Sequence, residues 1–162
     1  MESLKILITG VTGFIGSNVA NHLADKNHEI YGITRNGKYN WHLEEQRDKI
    51  SLISSDVTSY EKTQSIVESI RPDWIINCSQ YGAYATEKDT RTTSETSVRR
   101  LFNILDISVK FHVGWLINCG TSFDYVGSKE GIAENVPPRP NSFSWHYQGN
   151  GFKHAYSIFQ NN

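Results

Sequence analysis

The fold is decided by one stretch near the amino terminus, LKILITGVTGFIGSNVANHLA, which covers residues 4–24. Its first part, Leu4 to Thr9, is a short apolar run typical of a buried strand in a parallel sheet. Its last part, Phe14 to Ala24, has the spacing of an amphipathic helix. The residues predicted to face the core from that helix are Phe14, Ile15, Val19 and Leu23.

Three glycines lie between this strand and this helix, at Gly10, Gly13 and Gly16. The first glycine allows a sharp turn off the strand, the second leaves room for a pyrophosphate, and the third allows close packing of helix on sheet. The free N–H groups and the positive dipole at the start of the helix then attract phosphate. A tight turn without a ligand remains the minor alternative. The candidate residues for binding a dinucleotide here are Gly10, Thr12, Gly13, Phe14, Ile15 and Gly16.

Short apolar runs alternate with helical patterns along the rest of the chain, which indicates a parallel sheet with crossover helices. Further strands are predicted at Glu29 to Thr34, Ile50 to Ile53, Trp74 to Cys78 and Trp115 to Cys119, and further helices at Tyr60 to Ile70 and Thr93 to Ser108. The prediction is an α/β fold with a Rossmann-like, doubly wound parallel sheet of about five strands. It covers residues 1–142, and residues 143–162 are an irregular tail.

Composition excludes several function classes. The formal net charge is −1 and the isoelectric point is about 6.6, so no basic field points to nucleic acid or to an anionic membrane. No apolar run approaches the roughly 20 residues that span a bilayer, and we expect a cytoplasmic protein. The six histidines lack metal-type spacing. Cys78 and Cys119 are interpreted as two buried, reduced thiols, with a disulfide or a metal pair as the less favoured alternative.

The spacing of the turn is GxxGxxG, with Thr9 before it and Phe14-Ile15 inside it. In this respect the chain resembles the extended short-chain dehydrogenase/reductase superfamily, in its epimerase/dehydratase branch that modifies nucleotide sugars. The resemblance implies an NAD(P)-binding domain and a nucleotide-diphosphate sugar as substrate. It also implies that Asp56 and Val57 bind the adenine ring. The segment Asn77-Cys78-Ser79-Gln80 matches the family's turn beside the cofactor ribose, and its candidate binding residues are Cys78, Ser79 and Gln80.

The end of the second strand bears on the choice of nicotinamide cofactor. NAD-binding members usually have an acidic residue there for the ribose 2′-hydroxyl. This chain has Thr34-Arg35 instead, and an arginine fork suits a 2′-phosphate. We therefore expect NADP, with NAD as the alternative; Arg35 as a solvated loop charge is the competing interpretation.

The catalytic residues are less well matched. The resemblance places the family's substrate-orienting hydroxyl at Thr121, or at Ser122 if the alignment is made on Gly127. The family's Tyr-x-x-x-Lys pair should follow Pro140, but the four residues after Tyr147 end at Gly151 rather than at a lysine. Tyr147 is therefore only a weak candidate for the catalytic acid or base.

The family also has a C-terminal substrate domain, so we expect this chain to be truncated. A one-base shift in the codons of residues 145–149 permits Gly-Ile-Thr-Lys-Ala, which resembles the family's Tyr-Gly-x-Ser/Thr-Lys-Ala run, so the tail is hypothesised to be out of frame. An uncovered sheet edge would favour a partner such as a homodimer. Three functions remain open: an active nucleotide-sugar enzyme, a non-catalytic NAD(P)-binding module, and an inactive fragment.

Overall fold

The structure is a computed structural model of the 162-residue chain. It describes residues 2–80, 90–120, 125, 131–133 and 135–137, and of residues 90–94 it describes the backbone only. The predicted boundary between residues 142 and 143 lies outside the described residues.

Five parallel strands form one sheet in the order β3-β2-β1-β4-β5. The strands are β1 (Lys5–Thr9), β2 (Glu29–Thr34), β3 (Ile50–Ser54), β4 (Trp74–Asn77) and β5 (Trp115–Asn118). All four neighbouring pairs are parallel. The register aligns Thr9 with Asn77 and Asn77 with Asn118, so the ends of the three strands form one row. The predicted Rossmann-like parallel sheet is confirmed.

In the part of the chain that the structure describes, three α-helices and one 3₁₀-helix connect the strands. They are α1 (Phe14–Ala24), the 3₁₀-helix Trp41–Gln46, α2 (Tyr60–Ile70) and α3 (Thr90–Lys110). Helix α2 ends at Arg71, whose φ of 52° is left-handed, and Pro72 follows, where a helix cannot continue. Helices α1 and α2 have the predicted bounds, whereas α3 extends beyond its predicted range of Thr93 to Ser108.

The core has one cluster on each face of the sheet, because successive strand residues point to opposite faces. Along β1, Ile6 and Ile8 belong to the cluster that includes the buried residues of α1 and the 3₁₀-helix. Leu7, between them, belongs to the cluster that includes residues of α2 and α3. Each fully buried side chain of this size contributes roughly 1.5–3 kcal/mol. The buried apolar runs predicted from sequence therefore reflect a sheet covered on both faces.

The predicted apolar face of α1 is wrong at its first turn. Phe14 is 75% exposed and Ile15 is 54% exposed. The residues that α1 buries are small: Gly16, Ser17, Ala20 and Ala24. Small residues let the helix lie close to the sheet, so the large side chains of the first turn are directed outward.

The chain divides into two compact units. The first unit, Met1–Gln80 with Asn103–Cys119, contains the whole sheet. The second unit is Tyr81–Phe102 with Gly120–Asn162; in it, Arg100 donates hydrogen bonds to the carbonyl oxygen of Thr96 and to the hydroxyl of Ser97, both at 3.3 Å. Across the described part of the chain, no helix is long and apolar enough to cross a membrane.

Candidate functional site

The turn between β1 and α1 requires glycine for two separate physical reasons. Gly10 has a φ of 68°, and a Cβ there would lie 2.8 Å from backbone atoms of Cys78 and Ser79. At Gly16 a Cβ would lie 2.3 Å from the carbonyl oxygen of Gly10. Both distances are shorter than atoms tolerate, so glycine sets the packing of the turn between β4 and α1.

The amino end of α1 has the features of an anion site. Gly13 is the exposed N-cap and no side chain caps the helix. The first helical hydrogen bond runs from the Ser17 N–H to the Gly13 carbonyl oxygen at 2.9 Å, which leaves the amides of Phe14, Ile15 and Gly16 without intrahelical partners. No acidic residue lies in the first turn. These groups fit a pyrophosphate, which would accept hydrogen bonds from the amides and meet the positive end of the dipole.

The turn is supported from the segment after β2. The side-chain amide of Asn40 donates a hydrogen bond of 2.8 Å to the carbonyl oxygen of Thr12, so the side chain positions the backbone just before Gly13. Thr12 is half-buried. Asn40 is not predicted from the sequence, because a contact between residues 28 positions apart leaves no local pattern.

The end of β2 presents a cation to solvent. Thr34 is buried, and its hydroxyl donates to the side-chain oxygen of Asn36 at 3.1 Å. Arg35 is exposed, and its carbonyl oxygen accepts a hydrogen bond from the Ser54 hydroxyl at 3.2 Å. Among the described residues, neither of the two ion pairs involves Arg35. Its backbone is therefore fixed while its guanidinium remains available to a solvent anion.

After β3, the predicted adenine-binding residues lie at the same edge of the sheet. Asp56 is exposed, and its carboxylate accepts the N–H of Thr58 at 2.9 Å. Val57 is buried in the core cluster on the α2 and α3 face. The side-chain amide of Asn103 donates to the carbonyl oxygens of Val57 and Thr58, both at 3.0 Å. Asn103, in α3, thus holds this loop and was not identified from sequence.

A row of polar side chains joins the carboxyl ends of β1, β4 and β5. The buried Asn77 accepts a hydrogen bond from the Thr9 hydroxyl and another from the Ser79 hydroxyl at 2.7 Å. Its amide donates to the side-chain oxygen of Asn118 at 2.6 Å. These bonds satisfy buried polar atoms and fix the position of the turn that begins with Cys78.

The thiols of Cys78 and Cys119 lie side by side just beyond this row. The two sulfur atoms are 3.5 Å apart and both cysteines are free. Burial, together with the contact to the Cys119 thiol, raises the pKa of the Cys78 thiol to about 12. The prediction that both thiols are buried is wrong, since Cys78 is half-buried and Cys119 is exposed. Gln80, the last residue of this predicted ribose turn, is exposed.

The predicted catalytic residues Thr121, Ser122 and Tyr147 lie outside the described residues. Two Tyr-x-x-x-Lys spacings occur before Pro140, at Tyr84 with Lys88 and at Tyr125 with Lys129. Of these four residues the structure describes only Tyr125, which is half-buried. The described residues also contain no group of three or more His, Cys, Asp or Glu side chains arranged to hold a metal ion.

The residues at this edge of the sheet lie within a region that matches a known protein family. The sequence profile of the NAD dependent epimerase/dehydratase family matches residues 6–143, which contain the glycine turn and the ends of all five strands. The chain belongs to this family. The resemblance of the glycine spacing to an epimerase/dehydratase family is therefore confirmed.

Two curated proteins are similar to this chain over part of their length. Protein CapI of Staphylococcus aureus is 28% identical over 130 residues, which are 75% of this chain and 39% of CapI. A UDP-glucuronate 4-epimerase of Thermodesulfobacterium geofontis is 24% identical over 139 residues, 80% of this chain and 43% of that enzyme. The chain thus spans less than half the length of these relatives.

Solved structures of the family share its fold. The UDP-glucose 4-epimerase of Bifidobacterium longum, in complex with NAD+ and UDP, matches with a TM-score of 0.85 at 15% identity, over 98% of this chain and 50% of that one. The enzyme WbmG of Bordetella bronchiseptica, in complex with NAD and UDP, matches with a TM-score of 0.80 at 23% identity, over 96% of this chain and 50% of that one. At these identities the likeness establishes the fold.

Proposed function

We propose that this chain binds a nicotinamide dinucleotide at the carboxyl edge of its sheet, with the pyrophosphate at the amino end of α1. The observation that carries the proposal is the exposed, uncapped Gly13 with no acidic residue in the first turn of the helix. Among the common N-cap residues, glycine is the one without a side chain that would compete with a ligand for the amides of the first turn. Family membership and the NAD bound to structural relatives support the same ligand.

The substitution Gly13→Asp tests this proposal, because it should increase the stability of the helix and decrease the affinity for the dinucleotide. The φ of −77° and ψ of 168° at Gly13 suit an N-cap aspartate, which would satisfy the amides of the first turn and stabilise the helix by up to about 1 kcal/mol. The same carboxylate would occupy those amides and repel phosphate. We expect NAD affinity, measured by isothermal titration calorimetry, to fall at least about tenfold, which is about 1.4 kcal/mol.

Gly114→Asp is the matched control. A Cβ at Gly114 would lie 3.2 Å from a backbone oxygen, as it would at Gly13, and Gly114 precedes β5, at the opposite edge of the sheet. It adds the same charge, and we expect NAD affinity to stay within about twofold because an exposed charge beyond roughly 10 Å is screened. Equal affinities of the wild-type and Gly13→Asp proteins would refute the proposed phosphate position.

The proposed partner in catalysis is a nucleotide-diphosphate sugar. Family membership and the names of its relatives, among them a UDP-glucuronate 4-epimerase, support this class. We propose that the 162-residue chain alone does not turn such a sugar over, because the residues after Pro140 contain no tyrosine followed four positions later by lysine. Incubation with NAD or NADP and UDP-glucose or UDP-glucuronate should yield no epimer by chromatography. An epimerised sugar would contradict this part.

The proposed preference is for NADP over NAD. It is supported by Arg35, exposed at the end of β2 with its backbone held by Ser54, since a guanidinium pairs well with a 2′-phosphate. We expect Arg35→Ser to weaken NADP binding about tenfold, within the range of charge-assisted hydrogen bonds, and to leave NAD affinity within about twofold. Lys38→Ser, which removes another exposed cation nearby, controls for net charge. A wild-type chain that binds NAD more tightly than NADP would contradict the preference.

A further inference from the structure

Cys78 and Cys119 are brought together by the sheet rather than by the sequence. They follow the aligned residues Asn77 and Asn118, the last residues of β4 and β5. The Cys119 N–H continues the ladder with a hydrogen bond of 3.0 Å to the Asn77 carbonyl oxygen. They are also the only two cysteines of the chain, so any intramolecular disulfide must join them.

The geometry at this position permits a covalent bond without separation of the strands. Neighbouring strands lie about 4.8 Å apart, which is within the Cα separation of about 4.4–6.8 Å found for disulfides. The sulfur atoms already face each other at 3.5 Å. Side-chain rotation together with a small shift of Cys78 toward β5 would supply the remaining approach, while the ladder keeps the two strands in register.

The two thiols differ in access to a reagent. Cys119 is exposed and Cys78 is half-buried. Burial and the Cys119 thiol raise the pKa of the Cys78 thiol to about 12, so Cys78 is a poor first nucleophile at neutral pH. Once Cys119 is joined to a small thiol, Cys119 no longer raises the pKa of the Cys78 thiol, and only the contribution of burial remains. Reaction should therefore start at Cys119 and finish at Cys78.

We propose that Cys78 and Cys119 form a reversible disulfide in exchange with small-molecule disulfides, at the edge of the sheet where the dinucleotide is proposed to bind. The Cys119 thiolate attacks one sulfur of the small disulfide, whose S–S bond breaks and releases one thiol. The Cys78 thiolate then attacks the Cys119 sulfur of the mixed disulfide and releases the second small thiol. The protein loses two electrons and two protons, and the small disulfide gains them as two thiols.

The disulfide bears on the glycine turn, because the backbone of Cys78 packs directly against Gly10. A Cβ at Gly10 would lie 2.8 Å from the carbonyl carbon and oxygen of Cys78, and the Cys78 N–H donates to the Thr9 carbonyl oxygen at 3.0 Å. Because Cys78 is close to Gly10 and hydrogen-bonded to Thr9, a displacement of Cys78 toward β5 would also move the start of the turn. Oxidation therefore lowers dinucleotide affinity, a consequence that rests on the proposed function.

The test is incubation of the full chain with oxidised glutathione, followed by acid quenching and intact-mass spectrometry. We expect the loss of two hydrogens, no retained glutathione, and a monomer on a non-reducing gel, all reversed by dithiothreitol. Cys78→Ser should instead retain one glutathione at Cys119, and Cys119→Ser should react more slowly. A wild-type chain that retains glutathione, forms only disulfide-linked dimers, or remains fully reduced would overturn the proposal.

Calorimetric titration with NAD then tests whether the disulfide lowers dinucleotide affinity, independently of whether the disulfide forms. The oxidised wild-type chain should bind NAD about fivefold or more weakly than the reduced chain, as expected for coupled sites. The double variant Cys78→Ser, Cys119→Ser should show the same affinity before and after glutathione treatment. If the reduced chain does not bind NAD, the proposed function fails while the mass result still decides the disulfide. Equal affinities of the reduced and oxidised chains would refute the coupling alone.

Discussion

The carboxyl edge of the sheet contains two regions that meet at the contact between Gly10 and Cys78 but are built from different atoms. At the turn from β1 to α1, backbone amides make the candidate site, and the requirement on side chains is that none intrudes. At the ends of β4 and β5, side chains make it: the amide of Asn77 and the thiols of Cys78 and Cys119. The first region is defined by shape and the second by chemical groups.

This difference predicts how each region responds to substitution. Where the backbone makes the site, a methyl group added at Gly10 or Gly16 destabilises the fold because it clashes with backbone atoms, whereas removal of an exposed side chain has little effect. Where side chains make the site, the loss of one group leaves its partners buried without hydrogen bonds. Three substitutions test the contrast, from the largest expected loss of stability to the smallest.

Gly10→Ala should have the largest effect. Alanine at a φ of 68° costs about 1–2 kcal/mol, and its Cβ would lie 2.8 Å from backbone atoms of Cys78 and Ser79, where overpacking adds about 1–3 kcal/mol. We expect the free energy of unfolding, measured by urea denaturation, to fall by about 2–5 kcal/mol.

Gly131→Ala separates the two causes. Gly131 also has a positive φ, of 86°, but a Cβ there would meet no atom of the described residues within 4 Å. Its substitution should therefore cost only the backbone part, about 1–2 kcal/mol. Equal losses for the two variants would mean that the close approach to β4 contributes nothing at Gly10.

Asn77→Ala should have the second largest effect. The substitution removes the partner of the Thr9 hydroxyl, the Ser79 hydroxyl and the Asn118 side-chain oxygen. Loss of a buried partner costs about 1–3 kcal/mol, and we expect a decrease in unfolding free energy of this size.

Asn36→Ala is the control for Asn77→Ala. Asn36 also accepts two hydrogen bonds, from the Thr34 hydroxyl and the Lys38 N–H, but it is exposed. Water replaces those bonds, so the loss should be within about 0.5 kcal/mol. Similar losses at the two asparagines would contradict the role given to burial.

The sequence predicted the regions of local pattern well and the long-range contacts poorly. The glycine spacing predicts the turn because each requirement acts within a few residues, and the bounds of α1 and α2 are as predicted. The contact between Cys78 and Cys119, and the row formed by Thr9, Asn77 and Asn118, depend on strand register. The register of β4 and β5 brings together residues that are 41 positions apart in the chain. A single sequence contains no local pattern from which such a contact can be predicted.

The error at Phe14 and Ile15 has the same origin. Periodicity assigns large apolar residues to the core, but the start of α1 packs against the glycine turn, where only small residues fit. The prediction therefore gave the correct bounds of the helix, but it assigned the wrong residues of the first turn to the buried face. The same crowding that requires Gly16 excludes Phe14 from the core.

Phe14→Ala should have the smallest effect, although Phe14 lies at the centre of the candidate site. Its ring is 75% exposed and makes an edge contact with His42 at 6.5 Å between centroids. We expect the unfolding free energy to change by less than about 0.5 kcal/mol. Because its amide remains in place, NAD affinity should stay within about twofold, which is about 0.4 kcal/mol.

Leu43→Ala makes the contrast with Phe14→Ala quantitative. Leu43 is fully buried in the 3₁₀-helix next to His42, and its loss should cost about 2–5 kcal/mol. If Phe14→Ala instead abolished NAD binding while leaving stability unchanged, the ring itself would contact the ligand. The site at the start of α1 would then depend on a side chain as well as on backbone amides. The contrast drawn between the two regions would be wrong.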